Sequence, residues 1–240
     1  MKNSKLFNLT LLIFLIVSCG GGGGDGGGDG EGEALTTPPT PSIPASGISA
    51  YGEVNKEYKM GKDFTRIDNP LFVKKDGIVE VMEVFWYGCG ACYTFDGPVN
   101  GWKKTLPNDV KFSKLPITWA AIHQRHAALY YTIEALGLSE SAHSAVFVAI
   151  HKEKNFLDSD KAVIKFLKGF GVAPETSEAY LKSFAVKQKV SRGIKIAKQL
   201  KLSSTPMLIV DGSYVISPKR SYEEMFKVAE FVVEMQRSRS

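Results

Sequence analysis

Two cysteines stand three positions apart in Cys89-Gly90-Ala91-Cys92, directly behind an apolar run from Val79 to Tyr87. A C-x-x-C pair where a strand passes into a helix is the arrangement that makes and breaks disulfides. The one other cysteine, Cys19, lies in an amino-terminal segment with the character of an export signal. The pair therefore belongs to no cysteine-rich framework and has to be explained by its own chemistry.

The amino terminus bears on the compartment. Lys2 and Lys5 precede an apolar stretch from Leu6 to Val17 that is interrupted only by Asn8 and Thr10. A basic start followed by an apolar segment too short to span a bilayer reads as a signal peptide over residues 1–18. It ends in Ile16-Val17-Ser18-Cys19, which resembles the bacterial lipobox, where the cysteine is lipidated and becomes the first mature residue. An ordinary signal peptide with a chance cysteine is the alternative.

Within residues 20–50, positions 20–32 hold ten of the 23 glycines, and Thr36-Thr37-Pro38-Pro39-Thr40-Pro41 follows, with Pro44 and Gly47 beyond. Such a stretch carries too little apolar surface to offset the entropy of ordering. With Cys19 it reads as a tether over 19–50, with a typical reach of roughly 30 Å. Setting aside Lys2, Lys5 and the four tether acids leaves 28 basic and 21 acidic residues, a net +7 on the rest of the chain. No arginine cluster or aromatic-basic interleaving points to nucleic acid.

The rest of the chain has the length of one domain, or of one domain with an insertion. Short strands are expected within Tyr58–Ile67, a strong one over Ile78–Tyr87 and another over Val110–Ile117. A helix from the cysteines to about Lys104 would carry Pro98 as a kink. From Ala121 to about Leu202 everything reads as a series of helices, with Gly137 ending one and Ser139 placed to cap the next. Asp158 or Asp160 is placed to cap one of these helices, and Pro174 suits the first turn of another. Met207–Val210 and Tyr214–Ile216 are strands joined by the Asp211-Gly212 turn signal, and Ser221–Gln236 closes the chain as a helix.

Strands and helices, then a helical block, then a hairpin and a helix is the order of a thioredoxin-like α/β fold with an inserted all-helical domain. The divisions fall at 51–120 and 188–240 for the thioredoxin-like part and 121–187 for the insert. Three pieces carry a family resemblance: Glu83-Val84-Phe85-Trp86-Tyr87-Gly88-Cys89-Gly90-Ala91-Cys92, the insert beginning near Ala121, and Ser204-Thr205-Pro206-Met207 before Val210-Asp211-Gly212. Over about 53–237 the chain resembles the DsbA family of periplasmic thiol oxidoreductases, and its amino terminus resembles the lipid-anchored members.

At a helix amino terminus, free N–H groups and the dipole favour a thiolate on Cys89. A low-pKa thiol is a good leaving group, so its disulfide is a strong oxidant. Cys89 is then the sulfur that substrates attack, and Cys92, one turn further in, the resolving thiol. The pair can also be read as half of a structural zinc site, which needs two more ligands. With Cys19 assigned to the anchor, only His123, His126, His143 and His151 are available, and otherwise these read as ordinary helix residues.

Glu83 interrupts an apolar strand, where a carboxylate is either protonated, paired, or turned out at a bent edge. The resemblance implies that it lies beneath the disulfide and assists proton movement at the buried thiol. It also implies a cis peptide bond at Pro206, facing the cysteines. A proline cannot donate to a sheet ladder, so the backbone at Thr205 is left to pair with an extended substrate. Trp86, Tyr87, Trp119 and Met207 are candidates for an apolar surface around the disulfide, or for core.

Two departures from the best-known members stand out. Gly90-Ala91 replaces Pro-His between the cysteines, which removes a thiolate-stabilising histidine and a stiff turn, so the disulfide is expected to be less oxidising. Threonine before Pro206 resembles isomerases and reductases more than oxidases.

The leading expectation is a membrane-tethered thiol:disulfide oxidoreductase that donates its own Cys89–Cys92 disulfide, with no other cofactor and no metal, to reduced exported proteins. A quinone-linked membrane protein of the DsbB type would reoxidise it. A reductase or isomerase is the alternative within enzymes, and a metal-binding or chaperone-like module the alternative outside them. The expected location is the periplasmic side of a bacterial membrane, inner or outer, with the domain lipid-anchored. Gly20 after Cys19 suits sorting to an outer membrane where that rule operates.

Overall fold

The computed structural model describes residues 58–71, 77–138, 140–219 and 221–238. The expected signal peptide, Cys19 and the tether lie outside the described residues. Among those described, no helix is long and apolar enough to cross a membrane.

Five strands form one sheet: β1 (Thr65–Arg66), β2 (Val79–Phe85), β3 (Val110–Pro116), β4 (Met207–Val210) and β5 (Tyr214–Ile216), in the order β1-β5-β4-β2-β3. β2 pairs in parallel with β3 and antiparallel with β4, so the strand leading to the cysteines is held on both edges. Its residues Val-Glu-Val-Met-Glu-Val-Phe are nearly all buried, because both faces of the sheet are covered. Val79 and Val81 pack under the helices α1 (Gly90–Trp102) and α7 (Tyr222–Arg237), while Met82 and Val84 pack with Ala197 and Leu200 on the other side. By the alternation of a strand, Glu83 and Phe85 share the face of Val79 and Val81.

The turn between β4 and β5 follows its residues. Asp211 and Gly212 both have positive φ, 50° and 59°, as a type I′ turn requires, and Ser213 N–H closes it on the Val210 carbonyl at 3.0 Å. Pro98 lies inside α1 without ending it, and a 3₁₀ turn, Lys103–Thr105, follows.

Between β3 and β4 stand five helices: α2 (Ala121–Ala135), α3 (Glu140–His151), α4 (Asp160–Lys168), α5 (Pro174–Leu181) and α6 (Phe184–Gln199). Pro174 opens α5 as expected. The cap of α4 is Ser159, whose hydroxyl accepts from the Ala162 N–H, rather than Asp158 or Asp160. Asp160 falls one place later, in the first turn, where its charge complements the helix dipole. α6 is one unbroken helix across residue 187. Its Val186 packs with the insert core, and Ala197 near its other end packs against the sheet.

Phe85, at the end of β2, packs with the helices that lie between β3 and β4. Its ring makes edge contacts with Tyr87, Tyr130 and His143 at centroid distances of 5.1, 5.3 and 5.2 Å. Full burial of such a side chain contributes about 1.5–3 kcal/mol, here spent where β2 hands over to the cysteine turn.

Candidate active site

β2 ends at Phe85, and the chain turns through Trp86-Tyr87-Gly88 so that Cys89 becomes the cap of α1, in extended geometry. Its N–H donates to the Trp86 carbonyl at 3.0 Å, and its Sγ accepts the Cys92 N–H at 3.3 Å. Both sulfurs are free thiols; Cys89 is half-buried and Cys92 buried. A hydrogen bond from the Cys92 thiol, helped by the Thr205 side chain and the Cys92 and Ala91 backbone, outweighs burial and lowers the Cys89 pKa from 9.0 to about 5. Burial, and then the same contact with Cys89, pushes the Cys92 thiol up. The two sulfurs are thus driven apart, one towards thiolate and one towards thiol.

The Thr205–Pro206 peptide bond is cis, and the Thr205 carbonyl oxygen lies 3.6 Å from Cys89 Sγ. These residues immediately precede β4, whose pairing with β2 brings a segment 116 positions away to the head of α1. Gly90 and Ala91 are exposed, and nothing lies within 4 Å of where a Cβ on Gly90 would point. Met207 is buried, packed with Met82, Val84 and Ala197 in the cluster that Trp86 also borders.

Glu83 is 1 % exposed. The parallel register sets Lys114 of β3 beside it, with Nζ 3.0 Å from Glu83 Oε2, so the acid is paired. The same ammonium lies 3.1 Å from His143 Nε2, 3.4 Å from Glu140 and 3.9 Å from Asp96 of α1. Burial disfavours the charge on Lys114, yet Glu83, Glu140 and Asp96 outweigh it and raise its pKa. Burial likewise opposes ionisation of Asp96, but hydrogen bonds from His143 and Ser144 and the nearby Lys114 charge hold its carboxyl below the usual range. Asp96, Glu140 and His143 bring ligand atoms within 4.8 Å of one another, but Lys114 already supplies the cation among them.

Sequence reasoning did not single out Lys114, Asp96 or the roles of the histidines. Trp86 is half-buried and donates through Nε1 to His126 Nδ1 at 3.0 Å. His123 lies between Trp86 and Trp119, with ring centroids 4.4 and 5.7 Å away, and Trp119 is 45 % exposed. His151 stacks on Tyr93 at 4.9 Å and reaches the Tyr87 carbonyl. His126, His143 and His151 therefore spend ring nitrogens on the segment before Cys89, and the cluster of potential metal ligands found among the described residues excludes both cysteines.

A low-pKa cysteine capping a helix, a buried partner one turn on and a facing cis-proline define a thiol:disulfide oxidoreductase on a thioredoxin-like scaffold. Comparison with known proteins narrows this class. The family model of the DSBA-like thioredoxin domain matches residues 81–228, and the chain belongs to that family. It is 34 % identical over 184 residues to the thiol:disulfide interchange protein DsbA of Pseudomonas aeruginosa PAO1, spanning 76 % of this chain and 87 % of that one. With the protein of the same name from Azotobacter vinelandii it shares 32 % over 202 residues, 82 % and 93 % of the two chains. The crystal structure of Pseudomonas aeruginosa DsbA superposes with a TM-score of 0.72 at 34 % identity, covering 75 % of this chain and 95 % of that one. The chain is a thiol:disulfide oxidoreductase.

Proposed function

We propose that the protein works as a donor: it passes the Cys89–Cys92 disulfide to reduced exported proteins. The observation that carries this is the opposed ionisation of the two sulfurs, with Cys89 lowered to about 5 and Cys92 raised. A substrate thiolate attacks Cys89 Sγ; the S–S bond breaks and Cys92 leaves with the electron pair, taking up a proton as its raised pKa demands. A second substrate thiolate attacks the substrate sulfur of the mixed disulfide, and Cys89 leaves as a stable thiolate. Two electrons and one proton stay with the enzyme, and the substrate gains a disulfide. Glu83, paired with Lys114, is the acid assigned to proton movement at Cys92. Thr205 and Pro206 offer the backbone edge for an extended substrate, Trp86 a wall beside it, and Gly90 and Ala91 set the potential by what they lack.

The same reading gives the reduced pair to a quinone-linked membrane protein of the DsbB type for reoxidation. It places the domain on the periplasmic side of a bacterial membrane, lipidated at Cys19 after removal of residues 1–18 and held by the 19–50 tether. The basis for this is the sequence of those segments. Acid trapping and alkylation of Cys89 and Cys92 in cells is the test. A mostly oxidised pair is the expected result. A mostly reduced pair overturns the donor reading in favour of a reductase, and a pair shielded only by metal overturns it in favour of a binding module.

A further inference from the structure

Three histidines of the inserted helices converge on the dipeptide that leads into Cys89. The Trp86 indole N–H donates to His126 Nδ1 at 3.0 Å. The Tyr87 hydroxyl lies 2.7 Å from His143 Nδ1, and the Tyr87 carbonyl accepts from His151 Nε2 at 2.8 Å. Disulfide exchange uses none of the three.

His126 is the most constrained. It is buried, and its Nε2 lies 3.0 Å from the Phe156 carbonyl. A carbonyl only accepts and an indole only donates, so Nε2 carries the hydrogen and Nδ1 is bare. The ring is therefore neutral, and burial holds its pKa below the ordinary value. The indole it holds is confined on other sides as well. His123 packs on it, and a Cβ on Gly88 would meet its Cζ2 at 2.4 Å. Its backbone carbonyl receives the Cys89 N–H at 3.0 Å, so the wall and the reactive cap share one tight turn.

We propose that His126 is a positioning residue for substrate: through Nδ1 it fixes the Trp86 indole as a wall beside Cys89, and with His143 and His151 it ties the inserted helices to Trp86-Tyr87. This rests on the reading that substrate thiolates attack Cys89. The charged and titratable groups that bear on His126 are His123 and Arg125 from its own helix, Asp158 from the loop after α3, and Tyr87 from the cysteine turn. Protonation would turn Nδ1 into a donor facing the indole N–H, and the wall would be released in acid.

The test is steady-state oxidation of a dithiol peptide with apolar residues beside its cysteines, between pH 4.5 and 7.5, by wild type, His126→Asn, His126→Gln and His126→Leu. Asn places an acceptor where Nδ1 stands; Gln reaches only the Nε2 position, and Leu neither. Each KM is taken relative to the Asn variant at the same pH, which cancels ionisation of the peptide and of Cys89. Loss of one hydrogen bond predicts a KM about fivefold to tenfold higher for Gln and Leu at every pH. Wild type should match Asn near pH 7.5 and approach Leu in acid, with the reduction potential alike in all four. Asn and Gln variants with the same KM overturn the assignment, and this comparison stands even if the Leu variant fails to fold. A wild-type protein that does not oxidise the peptide overturns the donor reading and this one with it; one that does, with Asn and Gln alike, overturns only the role of His126.

Discussion

Lys114 of the edge strand β3 stands beside Glu83 in the β2–β3 register, and its buried ammonium is 3.0 Å from the Glu83 carboxylate. Two charges taken out of water are tolerated there because each is the other's partner, and Asp96, Glu140 and His143 surround the ammonium. Removing one partner leaves an uncompensated buried charge. Lys114→Met should therefore lower the stability of the reduced protein by about 3–5 kcal/mol in urea unfolding. Glu83→Leu combined with Lys114→Met should recover most of that loss, since apolar replacement of a whole buried pair is often neutral. A double variant as unstable as the single one would show that Asp96 and Glu140, not Glu83, are the partners that matter.

The Cys89 thiol titrates near pH 5 in the folded, reduced protein against 9.0 for an ordinary cysteine. A depressed pKa stabilises the fold that holds the thiolate. That contribution is fully present above pH 9, shrinks as pH falls, and is gone below about pH 5. The oxidised protein has no such thiolate, so the stability of the reduced form relative to the oxidised form should climb between about pH 5 and 9. Thiolate absorbance near 240 nm should titrate as one step near pH 5, and Cys92→Ala should shift that step upward, because the Cys92 thiol is the largest influence lowering it. A step unmoved by the substitution would remove Cys92 from that role.

Gly90 and Ala91 contribute no side-chain hydrogen bond to Cys89, whose thiolate leans on the Cys92 and Thr205 side chains and the local backbone. The reduction potential should accordingly be more negative than the roughly −120 mV typical of DsbA. Ala91→His should move it in the oxidising direction, read in a glutathione redox buffer. A wild-type value at or above roughly −120 mV contradicts this account.

Gly88 has its place because the Trp86 indole lies where its Cβ would be, 2.4 Å from Cζ2. The ring cannot simply swing away, being bonded to His126 and packed on His123. Gly88→Ala should cost about 1–3 kcal/mol, the usual range for overpacking, and should slow mixed-disulfide formation at Cys89. Thermal melts and trapping of the mixed disulfide read the two effects separately; an unchanged melting temperature would mean that the turn relaxes freely.

Much of this protein is local and so can be read along the chain. The apolar run in Val79–Phe85, the turn pair Asp211-Gly212, Pro174 at a helix start and the C-x-x-C at a strand's end each report on a few neighbouring residues. Local reasoning erred by one residue at the α4 cap, where Ser159 competes with two aspartates and only backbone geometry decides. It left Met207 undecided, because a strand residue's face depends on what covers each side of the sheet. Which partner neutralises Glu83 was beyond it: Lys114 lies 31 positions on and is chosen by strand register. The histidines were beyond it for the same reason. His126, His143 and His151 meet Trp86 and Tyr87 across separations of 40, 56 and 64 positions, and only the docking of the inserted helices on the sheet selects those contacts. The sequence by itself determined the redox pair and the order of elements, because both follow from spacing and period. The tertiary structure alone decided how each buried charge and ring nitrogen is satisfied, because a buried polar group takes whatever partner packing brings within hydrogen-bond reach.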